Sequence, residues 1–120
     1  MNKYEAIIRS VGEHALEMMD ENLLITYDYK ALDEIILDYS IGLESVKFEN
    51  DIEVGDVFKI GKQSFRVTAV GWQVNDTMRQ LSHSTIRFDG ENSAILPGSI
   101  HLTAPIESLK IEIGQSVIVV

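Results

Sequence analysis

Valine and isoleucine fill 25 of the 120 positions, and they fall in short runs broken by glycine, asparagine, aspartate or proline. Side chains branched at Cβ lose rotamer freedom against a preceding helical turn but suit a pleated surface, so this distribution favours strands. Eight candidate strands follow from the alternation and its turn punctuation: Tyr4–Ser10, Leu23–Tyr27, Leu43–Phe48, Asp56–Ile60, Ser64–Val70, His83–Asp89, Ser99–Thr103 and Gln115–Val120. So many short strands in so short a chain predict an all-β domain, either a small barrel or a sandwich. The length suits one domain over residues 1–120 with a single core.

Helix is expected in a few places. Val11, Ala15, Met18 and Met19 follow an i, i+4, i+7, i+8 stripe within Val11–Asn22, with acids on the opposite face. Asn75 or Asp76 can cap a short helix running through Leu81, and Leu32–Leu37 is a third candidate. Two segments share one local pattern, Ile52-Glu53-Val54-Gly55-Asp56-Val57 and Ile111-Glu112-Ile113-Gly114-Gln115-Ser116. In each, a glycine able to take positive φ turns the chain before an alternating strand starts.

Composition narrows the function. The absence of cysteine removes disulfides, thiol nucleophiles and thiolate metal sites. A net charge of −9 opposes nucleic acid and anionic membrane surfaces. Residues 1–60 hold 14 acids against 5 bases and residues 61–120 hold 5 of each, so the whole excess lies in the first half. Nothing reads as a signal peptide, and no window nears the roughly 20 apolar residues of a membrane helix, so a cytoplasmic protein with no membrane insertion is expected.

The chemistry-bearing pattern is His83-Ser84-Thr85-Ile86-Arg87-Phe88-Asp89-Gly90. On a strand Ile86 and Phe88 turn inward, which puts His83, Thr85, Arg87 and Asp89 on the other face. Ser99, His101 and Thr103 are expected on the wet face of their own strand, opposite Ile100 and Leu102. A neutral imidazole nitrogen is nucleophilic near neutral pH, and arginine offers planar donors to phosphate oxygens, so such a row suits phosphoryl transfer. The two histidines with Asp89 also form a conceivable metal set, ranked lower because no HxH or HExxH spacing occurs. The same side chains also read as ordinary surface and cross-strand partners. His14 reads as packing beside the helical stripe, and Trp72 as a core or rim aromatic.

Three strings then stand in order: Phe65-Arg66-Val67-Thr68-Ala69-Val70-Gly71, Met78 through Gly90 with Arg87-Phe88-Asp89-Gly90 at its end, and Leu96-Pro97-Gly98-Ser99-Ile100-His101-Leu102. Together they make the chain resemble the IIA component of the glucitol/sorbitol phosphotransferase system. The likeness is clearest from Phe65 to Pro105 and weaker from Tyr4 to Phe58. It implies a small closed β-barrel of about seven or eight short strands with one to three short helices. It also implies a phosphocarrier with no cofactor, which takes a phosphoryl group from the histidine phosphocarrier protein and passes it to a membrane-bound sugar permease. The family's acceptor is a histidine in the segment that here reads Leu37-Asp38-Tyr39-Ser40-Ile41-Gly42-Leu43-Glu44, with Tyr39 at about its place. A phenol with a pKa near about 10 cannot carry a phosphoryl group as imidazole does. The expectation is then that either His83 or His101 is the acceptor, with His83 preferred because Arg87 and Thr85, the expected phosphate donors, share its strand face, and with His101 as the neighbouring imidazole. The alternative is a non-catalytic barrel of the same family that binds a partner or small ligand and regulates sugar uptake. Oligomeric state is not legible in the sequence.

Overall fold

Eight strands close into a barrel in the computed structural model, which describes residues 2–103 and 109–120. They are β1 (Tyr4–Val11), β2 (Leu23–Asp28), β3 (Ser40–Phe48), β4 (Val57–Ile60), β5 (Gln63–Val70), β6 (Ser84–Arg87), β7 (Ser99–Leu102) and β8 (Ser116–Val119). Each matches an expected run, usually to within a residue or two. The largest difference is β3, which starts at Ser40, three residues before the expected Leu43. Ser40 to Leu43 are all buried, so this stretch is covered on both faces and shows no alternation to read.

Around the barrel the order is β1-β3-β2-β6-β7-β5-β4-β8, with β8 returning to β1. Two neighbouring pairs, β2–β3 and β6–β7, run parallel, and the others are antiparallel. The interior is filled by alternate residues of each strand, with Tyr4, Phe58 and Phe88 the bulkiest fully buried side chains. Phe65 meets Phe88 edge-on at 5.0 Å between ring centroids. The two glycines of the repeated pattern behave as expected, Gly55 at φ 95° and Gly114 at φ 97°, each turning the chain into a strand.

The helices depart more from expectation. Val11 belongs to β1, and the segment after it forms a 3₁₀ helix, Ala15–Glu21, that buries only Ala15. Its entry is strapped to the start of β3 by Gly12 N–H to Ser40 O at 2.9 Å and to the end of the next helix by His14 N–H to Asp38 O at 2.7 Å. A Cβ on Gly12 would overlap the Leu37 and Asp38 backbone, so only glycine permits this approach. Helix α1 spans Glu34–Asp38, where Asp33 accepts from the amides of Ile35 and Ile36. Helix α2 spans Val74–Leu81 and starts without a side-chain cap. Asn75 is used elsewhere: its amide group accepts from Ile52 N–H at 2.8 Å and donates to Ile52 O at 3.1 Å, pinning the loop before β4. Trp72, expected in the core or rim, is 78 % exposed. Gly71 lies against the Leu96 and Pro97 carbonyls, where a Cβ would overlap them.

Candidate functional site

Strand β6 has different neighbours on its two sides, β2 on one and β7 on the other, and this decides where its polar face leads. Ile86 and Phe88 are buried in the core as expected, and His83, Thr85 and Arg87 are half-buried on the outer face, with Asp89 more exposed. His83 sits at the turn out of α2. Ser82 takes the left-handed conformation at φ 51°, and Thr77 Oγ1 donates to His83 O at 2.8 Å, so backbone position is set before the side chain is considered.

The His83 ring leans towards β2. Its Nδ1 lies 3.0 Å from Thr26 O, and its ring centroid is 4.9 Å from that of Tyr27. A carbonyl only accepts, so Nδ1 carries the proton and the lone pair is on Nε2. His83 lines an open hollow of about 380 Å³ with Ile25, Tyr27, Ile36, Tyr39 and Ser40. On the other side of Tyr39 the His14 ring stacks at 5.3 Å and 27°, with its Nδ1 3.0 Å from Glu17. His14 is thus half-exposed against Tyr39 and not a core residue.

At the other end of β6, Arg87 stands opposite His101 in the parallel register. His101 was expected on a wet face, yet it is 5 % exposed, and Ser99 beside it is also buried. Its Nδ1 donates to Asp89 Oδ1 at 2.8 Å, while Arg87 Nε donates to Ser99 Oγ at 3.2 Å. Burial works against the Asp89 charge, but the hydrogen bonds from His101 and from the Glu91 amide outweigh it, so the carboxyl is held below its usual range. Arg87, Asp89 and His101 line a second recess of about 490 Å³ together with Glu91, Ser93, Ile95 and Leu96.

The four expected site residues are therefore not one cluster. His83 opens on one hollow, Arg87 and His101 on another, and Thr85 lies between them on the outer face, paired with Ile25 and Ser99. Four residues of extended chain separate His83 from Arg87, about 13 Å. His83, His101 and Asp89 do not form a metal set, because His83 lines one hollow and the other two line the other. Among the described residues no three histidine, aspartate or glutamate side chains converge as metal ligands.

The family model described as the glucitol/sorbitol-specific IIA component of the PTS system matches residues 3–118. A PTS system glucitol/sorbitol-specific EIIA component of Escherichia coli (strain K12) is 32% identical over 106 residues, covering 86% of this chain and 83% of the relative. A protein of the same description from Shigella flexneri matches to the same extent. The chain belongs to the glucitol/sorbitol-specific IIA family. In fold, this IIA-family chain is similar to the crystal structure of a PTS system IIA component from Enterococcus faecalis V583, with a TM-score of 0.78 at 24% identity. That match covers 94% of this chain and 96% of the other.

Within the family barrel, the sequence reading missed the surroundings of His83: Tyr27, Tyr39, Ser40 and, beyond Tyr39, His14. No spacing rule joins residues 14, 39 and 83, because the Gly12 approach and the β2–β6 pairing bring them together. Leu32 and Leu81, 97 % and 40 % exposed, line an adjoining hollow that shares Tyr27, and Ile35 next to Ile36 is 73 % exposed. Acids at Asp33, Glu34 and Asp38 stand among them. No helix among the described residues is long and apolar enough to cross a membrane.

Proposed function

We propose that this chain is a cytoplasmic phosphocarrier subunit of a phosphoenolpyruvate-dependent sugar phosphotransferase system. It takes a phosphoryl group from the histidine phosphocarrier protein onto His83 and passes it to a glucitol/sorbitol-type permease. Family membership supports the class of reaction. The observation that carries the residue assignment is the Nδ1–H to Thr26 O hydrogen bond, which leaves Nε2 as the nucleophilic nitrogen at an open hollow.

In the first step the Nε2 lone pair attacks the donor's phosphorus. The donor's P–N bond breaks, and the leaving imidazole keeps that electron pair. The His83 Nδ1 proton stays shared with Thr26 O, which offsets the positive charge the ring gains as the new N–P bond forms. Transfer to the permease repeats the exchange with this chain as donor. Positioning and charge stabilisation do most of the work in phosphoryl transfer, so a small set of groups suffices. Thr85, on the same outer face, is the hydroxyl donor of this reading. Arg87 and His101 open on the other recess, where a buried imidazole is poorly placed for in-line attack by another protein. The exposed apolar and acidic side chains around the hollow suit a partner with an apolar face and a basic rim.

Incubation with phosphoenolpyruvate, the system's first enzyme and the phosphocarrier is expected to add one acid-labile phosphoryl group, read by intact-mass analysis. His83→Ala should abolish the label, and His101→Ala should leave it. A second reading rests on Tyr39, which stands where the resemblance places the acceptor histidine. If the wild type takes no acid-labile label yet still binds the permease, the chain is a non-catalytic regulatory barrel.

A further inference from the structure

Two side chains on neighbouring strands are held in place at the Arg87 end of β6, and the relay just described uses neither. Arg87 and His101 stand opposite each other in the parallel β6–β7 register and line one recess. Each is oriented by a partner of its own. Arg87 Nε donates to the hydroxyl of buried Ser99 at 3.2 Å, which restrains the guanidinium. Its terminal nitrogens make no ion pair among the described residues. His101, 5 % exposed, donates from Nδ1 to Asp89 at 2.8 Å, so the neutral ring keeps its lone pair on Nε2. No described residue donates to that nitrogen.

The two groups call for different complements. Guanidinium nitrogens only donate, and their planar fork suits the two oxygens of a carboxylate. A neutral imidazole nitrogen accepts, so it suits a hydroxyl. Neighbouring strands lie about 5 Å apart, so a ligand that meets both groups carries its carboxylate and its hydroxyl close together. A carboxylate alone would set an anion beside a lone pair, and a hydroxyl alone would leave the fork unmet. Asp89 and Glu91 reach solvent, where water screens their charge, and they set no preference here. Ile95 and Leu96 form an apolar wall that favours an alkyl group over further hydroxyls. A hollow of about 490 Å³ is within the usual range for a small-molecule site.

We infer that this recess binds a small 2-hydroxy carboxylic acid with a short alkyl body. Its carboxylate lies on the Arg87 fork, its hydroxyl donates to His101 Nε2, and its alkyl group rests on Ile95 and Leu96. The inference does not depend on the relay reading, since binding is measured on the unphosphorylated chain and its outcome is independent of labelling.

The test is a titration of the isotope-labelled chain with 2-hydroxyisovalerate at fixed ionic strength and neutral pH, followed by amide NMR shifts. Isovalerate lacks the hydroxyl, the matching vicinal diol lacks the carboxylate, and inorganic phosphate lacks the alkyl group. The hydroxy acid is expected to give saturable shifts at Arg87, Ser93, Leu96 and His101. Isovalerate should bind more weakly by about fivefold or more, and the diol by about tenfold or more. Arg87→Gln, on the outer face, should weaken binding of the hydroxy acid by about tenfold or more while keeping the wild-type thermal transition. If that variant is unstable, the matched ligands decide the question on the wild-type chain alone. The inference fails if the hydroxy acid gives no saturable shift up to about 100 mM, well past millimolar affinity. It also fails if isovalerate or the diol binds equally, if phosphate binds more tightly, or if folded Arg87→Gln binds as the wild type does.

Discussion

Tyr4 enters the barrel interior fully buried, and its hydroxyl has no hydrogen-bond partner among the described residues. Burial pushes its phenol far above the ordinary range, because the anion would lie in the core. An unmet buried hydroxyl is a cost, so Tyr4→Phe should match the wild type or gain up to about 1 kcal/mol in urea unfolding. A loss of about 1 kcal/mol or more would show that the hydroxyl has a partner. Asp89 is the opposite case, a partly exposed carboxylate whose folded-state pKa is depressed by its hydrogen bonds despite the opposing effect of burial. Its contribution to stability is present above the unfolded pKa of about 3.9 and is lost as pH falls through the depressed folded value. The Tm of Asp89→Asn should therefore lie below that of the wild type at neutral pH, with the gap closing in strong acid. At this scale the sequence singled out His83, Arg87, Asp89 and His101 as polar side chains next to buried strand residues. It did not show that Asp89 belongs to His101, 12 residues on, and not to His83.

Strands were legible as elements because inward and outward residues alternate, and that period survives in β5 and β6, each half-covered. It fails where both faces are covered, as at Ser40 to Leu43, and in β7, whose four residues are all buried. The stripe of Val11, Ala15, Met18 and Met19 predicts an α-helix, but Val11 is claimed by β1 and the rest is held in a 3₁₀ helix by the Gly12 corner. Gly12→Ala should cost about 1–3 kcal/mol by forcing the corner off the Leu37 and Asp38 backbone. It should also disturb the His14–Tyr39 stack, read as a change in near-ultraviolet circular dichroism. The same logic of competing claims explains Asn75, a good cap by its chemistry that instead binds both backbone groups of Ile52.

Closure of the whole molecule depends on β8, which pairs with β1 on one side and β4 on the other. Removing residues 111–120 would leave two strand edges unpaired and open the core, so the truncated chain should lose its cooperative thermal transition and aggregate. Retention of a sharp transition would show that the remaining strands close without it. The number of strands, the turn glycines, the inward faces of β5 and β6 and the family likeness of the second half were all readable from the sequence, because each is written in neighbouring residues. The partition of the polar residues into two recesses was not. It depends on β6 lying between β2 and β7, a pairing of segments far apart in the chain, and only tertiary packing chooses the neighbour towards which each side chain leans.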